Sequence, residues 1–341
     1  MIISKTPHRI SFFGGGTDYP SWYLENGGKV LGVAIDKYCY ITCRYLPPFF
    51  DHKYRIAYSK IENVKHWDEI QHPSVRETLK YLDCKRGLEI HHDGDIPARS
   101  GMGSSSAFTA GLVKTLYTLE GKVISKRDLY RMAIYIEQKL IKENVGSQDQ
   151  VLAACGGLNT VEFFKNGEIK VEPIIMNEDS LGRFQGRFML FFTGLSRYSS
   201  EIAKEQVDNI TKKKSELREM RGLVDEAYKI LTSGSGDFTE FGKLLNNTWR
   251  LKKSLSSRIT NGKIDDMYEA AIRSGAVGGK LLGAGGGGFI LFYVEPENRE
   301  KVKNALKGYL HIPFEFDFNG SEIIVYRPDY QARKIFEQVA V

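Results

Sequence analysis

Eleven residues, Pro97-Ala98-Arg99-Ser100-Gly101-Met102-Gly103-Ser104-Ser105-Ser106-Ala107, constrain this chain more than any others. They join a segment patterned as a strand (87–93) to one patterned as a helix, where Phe108, Leu112, Val113, Leu116 and Leu119 recur at helical spacing. Glycine loses more backbone freedom on folding than any other residue, so a glycine-rich junction needs a reason. One reason is a ligand. Small residues let the backbone wrap closely, helix-start amides point at an anion, and the hydroxyls of Ser104 and Ser105 can reach a phosphate oxygen or a magnesium ion. The other is a tight, serine-capped turn. No Gly-Lys-Ser/Thr follows, so this is not a Walker A loop.

Strand and helix signals alternate along the rest of the chain, which makes it α/β or α+β. Strands are expected over 2–12, 29–46, 53–60, 187–192 and 322–326. Pro7 puts the first at an edge or a bulge. Asn166-Gly167 marks a hairpin within 161–171. Helices are expected over 73–83, 126–143, 200–231, 238–255, 264–274 and 297–308, with a short one from Ser147. Residues 178–186 read as a polar connection, and 280–293 as an apolar strand broken by glycines. A boundary near 185 divides the chain into domains 1–185 and 186–341.

Two further glycine clusters stand out. Gly283-Ala284-Gly285-Gly286-Gly287-Gly288 formally matches GxGxxG, but a strand pattern follows it, which argues against a dinucleotide-binding turn. It suits the close approach of a ligand or of another backbone. The segment from Pro7 to Tyr19 carries a cation, Arg9, then Gly14-Gly15-Gly16 and the pair Thr17-Asp18. A carboxylate that accepts two hydroxyls, beside glycines that leave room for a ring, suits a polyol; taken on its own, the segment reads first as a strand followed by an ordinary Asp-containing turn. Asp149, in Gly146-Ser147-Gln148-Asp149-Gln150, is either functional or a first-turn acid that complements the helix dipole. Glu137 alone reads as a solvated charge.

With 42% hydrophobic residues in 341, the chain can build two cores. A net charge of +6 suits anionic small molecules. The densest basic run, Lys212-Lys213-Lys214, shares a helix with Glu216 and Glu219, so no nucleic-acid stripe is expected. The four cysteines lack zinc spacing and read as buried thiols of a reducing compartment. No signal peptide or membrane span is visible, and a cytoplasmic location is expected.

Taken together, the three glycine segments resemble the three motifs of the GHMP kinases. The central loop is similar to Pro-x-x-x-Gly-Leu-Gly-Ser-Ser-Ala-Ala, with Met102 for Leu and Ser106 for Ala, and Lys280 to Gly288 resembles the third motif. The resemblance implies a two-domain α+β kinase, ribosomal-S5-like then ferredoxin-like, that uses ATP and Mg²⁺. ATP phosphates would lie over Gly101, Met102, Gly103, Ser104, Ser105 and Ser106. Ser105 and Glu137 would hold the metal. Asp149 would accept or orient the acceptor proton, and Arg9 would pair with Asp149.

Arg9, Thr17, Asp18 and Tyr19 align with a galactokinase-like signature, although Gly15-Gly16 replaces its Glu-His. The Phe-Gly-Gly-Gly-Thr-Asp form resembles the branch that phosphorylates the anomeric hydroxyl of D-glycero-D-manno-heptose 7-phosphate. The substrate would then be a sugar phosphate held by Gly15, Gly16, Thr17, Asp18 and Tyr19, with Gly285 and Gly286 behind and Arg197 at the 7-phosphate. A fucokinase- or galactokinase-like sugar 1-kinase, or a sugar and ATP sensor on the same fold, are the alternatives.

Overall fold

The computed structural model describes residues 1–98, 100–194 and 199–328, without the side chains of residues 199–201, 206 and 211. In chain order the first half comprises β1 (Ile2–Phe13), α1 (Pro20–Asn26), β2 (Gly28–Tyr45), β3 (Tyr54–Ala57), β4 (Ile61–Val64), α2 (Pro73–Tyr81) and β5 (Leu88–Gly94). It continues with α3 (Ser104–Leu119), α4 (Lys126–Tyr135), α5 (Gln148–Cys155), β6 (Leu158–Phe163), β7 (Ile169–Pro173) and α6 (Glu178–Gln185). The second half comprises β8 (Phe188–Phe192), α7 (Ser199–Asn209), α8 (Lys214–Thr232), α9 (Thr239–Leu255) and α10 (Gly262–Arg273). After these come β9 (Ala276–Leu281), β10 (Phe289–Val294), α11 (Arg299–Ala305), β11 (Leu310–Ile312) and β12 (Glu322–Tyr326).

The architecture is α+β with two sheets. One has eight strands in the order β12-β1-β2-β5-β3-β4, with β6 and β7 branching from β2; the other is β11-β8-β10-β9. The branch arises because β2 is 18 residues long. Its first part pairs with β6 and its second with β5, while β1 runs along its other side. The register of β1 against β2 shifts between Pro7 and His8, so the proline is accommodated by a bulge. This bulge immediately precedes Arg9.

The sheets meet through aromatic packing. Phe12 and Phe13, at the end of β1, lie edge-on to Phe241 of α9. Phe12 also packs on Phe188 of β8, at 5.1 Å between centroids. These buried rings fix the end of β1, and therefore the turn that follows, against the second sheet.

Four expectations are corrected. The polar stretch 178–186 is the helix α6, capped by Asn177, whose side chain accepts from the Ser180 amide, and anchored by buried Phe184. Residues 280–293 are two antiparallel strands, β9 and β10, with the glycine cluster as the connection between them. The helix expected over 126–143 changes at Ile136 into one π-helical turn, Ile136–Leu140. The long helix of 200–231 divides at a 3₁₀ turn, Ile210–Lys212, into α7 and α8. Among the described residues, no helix is long and apolar enough to cross a membrane.

Candidate active site

The site begins with Arg9. Its side chain is buried, and its guanidinium forms a two-pronged pair with Asp149, Nε to Oδ1 at 2.7 Å and Nη2 to Oδ2 at 2.6 Å. The third prong, Nη1, donates to the Gly101 carbonyl at 2.8 Å. One residue of β1 thus joins the start of α5 to the central loop. The planar fork of arginine suits this task better than a lysine would.

The central loop is not a serine-capped turn. Gly103 occupies the cap position of α3 in the left-handed region, at φ +75°, and no side chain caps the helix. A β-carbon on Gly103 would sit 3.4 Å from Asp149 Oδ2 and 3.3 Å from the Arg9 side chain. Glycine therefore serves both the turn and the close approach of the ion pair. Met102 is fully buried in the core, so only its backbone is available to a ligand. The Ser104 hydroxyl has no hydrogen-bond partner among the described residues.

The other two hydroxyls turn to Glu137, which is fully buried rather than solvated. Its carboxylate accepts from Ser106 Oγ at 2.8 Å, Thr109 Oγ1 at 2.9 Å and Ser105 Oγ at 3.4 Å, and also from the Gln150 amide. Burial pushes its pKa up to about 7, opposed by the bonds from Ser106 and Gln150. The π-helical turn carries this carboxylate, and π-turns are common at functional positions.

Asp18 is the second buried acid. Gly16 N donates to Oδ1 at 2.9 Å and Gln148 N to Oδ2 at 3.3 Å. Burial, and then the neighbouring charge of Asp149, raise its pKa. Thr17 has a structural place: its hydroxyl donates to the carbonyls of Gly14 and Lys29 and accepts from the Lys29 amide. Tyr19 and Gly16 line a cleft with Ile210, Lys213, Leu217 and Leu255. Gly15 lies beside Ser11 and Gln148.

The third glycine cluster abuts the central loop. A β-carbon on Gly283 would be 2.3 Å from Gly101 Cα, and one on Gly288 would be 2.1 Å from the Ser100 carbonyl oxygen. Gly285 and Gly286 face the backbone of Ile259, whose carbonyl accepts from Gly286 N at 2.8 Å. Arg197 lies outside the described residues.

Two buried neighbours of the site do not stand out in the sequence as site residues. Lys252 and Lys280 are buried lysines beneath these loops, and the Arg9 charge opposes protonation of both. Lys252 carried a signal, because it falls on the apolar stripe Leu245, Trp249, Lys252, Leu255 of α9. Lys280 sat between Gly279 and Leu281 in an otherwise apolar run.

A strand-turn-helix phosphate-type loop faces two buried acids and a buried arginine, across a junction between two sheets. Comparison with known proteins gives this arrangement its class. Residues 73–157 match the GHMP kinases N terminal domain, and residues 222–312 match the GHMP kinases C terminal family. The chain belongs to the GHMP kinases and is an ATP-dependent phosphotransferase acting on a small molecule.

The chain is similar to D-glycero-alpha-D-manno-heptose 7-phosphate kinase of Campylobacter jejuni, with 28% identity over 94% of this chain and 97% of the relative. It is 24% identical to a galactokinase of Pyrococcus furiosus, over 91% of this chain and 94% of that protein. Its fold matches the crystal structure of a D-glycero-D-manno-heptose 1-phosphate kinase from Bacteroides thetaiotaomicron, with a TM-score of 0.78 at 24% identity, covering 96% of this chain and all (100%) of the other.

Magnesium ordinarily binds one or two carboxylates and completes its shell with water and substrate phosphates. Among the described residues, no three His, Cys, Asp or Glu side chains converge on one point. The donors present fit this pattern. Glu137 provides one carboxylate, Ser105 meets it only at 3.4 Å, and the adjacent Ser104 hydroxyl is unpartnered.

Proposed function

We propose that this kinase phosphorylates the anomeric C1 hydroxyl of D-glycero-D-manno-heptose 7-phosphate, giving the 1,7-bisphosphate for nucleotide-activated heptose. The observation that carries this reading is the turn Gly14 to Asp18. It presents a buried carboxylate close enough to Asp149 to feel its charge, with glycines where galactokinases carry a Glu-His pair. Support comes also from the near-complete overlap with the Campylobacter heptose kinase.

In this mechanism Asp18 accepts sugar hydroxyls, and Gly15, Gly16 and Tyr19 shape the space around the ring. Gly285 and Gly286 support that space from behind. Asp149 orients the C1 hydroxyl and takes its proton. Arg9 holds Asp149 in place and faces the transferring phosphoryl group. The amides and hydroxyls of Gly101 to Ser106 bind the ATP phosphates. Ser105 and Glu137 would hold Mg²⁺, which supplies charge neutralisation across those phosphates. Arg197 is the candidate cation for the 7-phosphate. The domain boundary near 185, with a ribosomal-S5-like and then a ferredoxin-like domain, belongs to the same proposal. Phosphoryl transfer relies on positioning and electrostatics, and a placed proton acceptor contributes ~10²–10⁴-fold.

The test is ADP release with ATP and Mg²⁺ across heptose 7-phosphate, mannose, mannose 6-phosphate, fucose and galactose. Turnover confined to heptose 7-phosphate, with acid-labile phosphate at C1, is expected, and Asp149→Ala should lose it. Equal turnover of a neutral sugar refutes the 7-phosphate assignment and leaves a sugar 1-kinase. Undiminished turnover by Asp149→Ala refutes the role of that residue.

A further inference from the structure

Two buried lysines lie under the glycine loops, and among the described residues neither has a carboxylate within salt-bridge distance. Lys252 Nζ, from α9, donates to the carbonyls of Leu281, at 2.8 Å, and Gly283, at 2.5 Å. Lys280 Nζ, from β9, donates to the carbonyls of Ser11, at 2.9 Å, and Phe12, at 2.8 Å. Among the described residues neither lysine has an ion-pair partner within salt-bridge distance. An ammonium has three N–H groups, so each lysine keeps one beyond these bonds. A buried cation without an anion is costly, and carbonyl dipoles offset only part of that cost.

The bonds follow a pattern. Gly283, held by Lys252, presses on Gly101, and Gly101 accepts from Arg9. Ser11 and Phe12, held by Lys280, lie two and three residues after Arg9 on β1. Both lysines therefore act on the frame that carries the Arg9–Asp149 pair and the central loop. The charged groups facing Lys252 are Arg9 from β1 and Lys280 from β9, all of one sign. Asp149 is engaged by Arg9, and Asp18 is the carboxylate that Lys280 feels. Burial, then Arg9, push Lys252 down to about 7. Burial, Lys252 and Arg9 push Lys280 well below its usual range. This cluster is built to receive negative charge.

We propose that Lys252 is a positioning residue for phosphoryl transfer whose charge is completed by the phosphates of ATP: it holds the third glycine loop against the central loop and takes up a proton as the nucleotide binds. The inference rests on the central loop being the ATP phosphate site.

The test is calorimetric binding of a non-hydrolysable ATP analogue with Mg²⁺ to the full-length protein at pH 8, in two buffers of different ionisation enthalpy. At that pH a group titrating near 7 is about one-tenth protonated, so uptake approaches about 0.9 proton per nucleotide. Lys252→Arg keeps a fixed charge, and Lys252→Met removes it. Uptake should vanish in both, and the fall of kcat/KM for ATP above neutral pH should flatten in Lys252→Arg. A purely structural lysine would not move either reading. Nucleotide binding without proton uptake by the wild-type protein overturns the proposal while leaving the kinase reading intact. Uptake that persists in Lys252→Arg overturns the assignment to Lys252. Failure to bind nucleotide overturns both.

Discussion

Gly146→Ala tests the sugar side of the site, because Gly146 packs directly on Asp18. A methyl group there would lie 1.9 Å from Oδ2, 2.6 Å from Cγ and 3.1 Å from Oδ1 of the Asp18 carboxylate. Carbon and oxygen atoms do not approach that closely, so the carboxylate must retreat by about 1 Å or more. It is held by the amides of Gly16 and Gln148, and a retreat from the methyl stretches the Gln148 bond, already 3.3 Å, beyond use. A hydrogen bond to a charged group contributes about 1.5–3 kcal/mol, which corresponds to roughly a 10- to 100-fold change in affinity for a ligand that needs this geometry. A displacement of about 1 Å in a reacting site costs a comparable factor. The three atoms nearest that methyl all belong to Asp18, and none to the central loop. We therefore expect kcat/KM for the sugar to fall ~10²-fold while KM for ATP stays within about threefold. The assay is initial-rate ADP release, varying each substrate with the other saturating, alongside a thermal melt. Gly222→Ala is the control, since a methyl there meets nothing within 4 Å and lies on a helix, where alanine is preferred. An unchanged kcat/KM for the sugar, in a protein that melts normally, refutes the placement of Asp18 in the sugar site.

Two further outcomes separate the remaining parts. Gly283→Ala should show the opposite kinetic pattern. Gly283 has φ +69°, and its methyl would stand 2.3 Å from Gly101 Cα, so KM for ATP should rise more than ~10-fold, with a stability loss of at least ~1–2 kcal/mol from the left-handed conformation; an unaltered KM for ATP would refute the loop-on-loop contact. Glu137, raised from the ordinary 4.5 to about 7, keeps its proton in the folded chain after the unfolded chain has lost it. Its effect on stability therefore falls as pH rises from 4.5 to 7, by roughly 3 kcal/mol in all, and chemical denaturation of Glu137→Gln across that range should lack this slope. An identical slope in the variant would refute the buried, protonated state of Glu137.

Legibility in the sequence followed the range of the interaction that fixes each feature. The bulge at Pro7 and the turn at Asn166-Gly167 are local, set by a missing N–H and by a positive φ at Gly167, and both could be read from neighbouring residues. The cap of α6 is local too, yet Asn177 precedes a polar stretch in which only Leu181 and the buried Phe184 pack on the core, too few apolar residues to mark a helix. The π-turn at Ile136 left no mark, because the apolar residues Leu129, Met132, Ala133, Ile136 and Leu140 keep helical spacing through it. Its consequence could be seen, since Glu137 stands beside that stripe, but its burial depends on Ser105, Ser106, Thr109 and Gln150 converging from two other helices.

The same distinction explains why the three motifs were visible and the cations beneath them were not. A glycine motif is a local requirement: Gly103 must take φ +75° whatever surrounds it, so the sequence carries glycine there in plain view. Lys252 and Lys280 answer to no local requirement. Lys252 breaks the apolar stripe of α9, and Lys280 interrupts an apolar strand, so each is a conflict between local pattern and final position. A chain tolerates such conflicts where function needs the charge more than the core needs the packing. Arg9 shows the same logic with its answer in place, because its buried charge meets Asp149 within the protein. The lysines have no such partner among the described residues, and the anion that resolves their conflict is one the chain must bind.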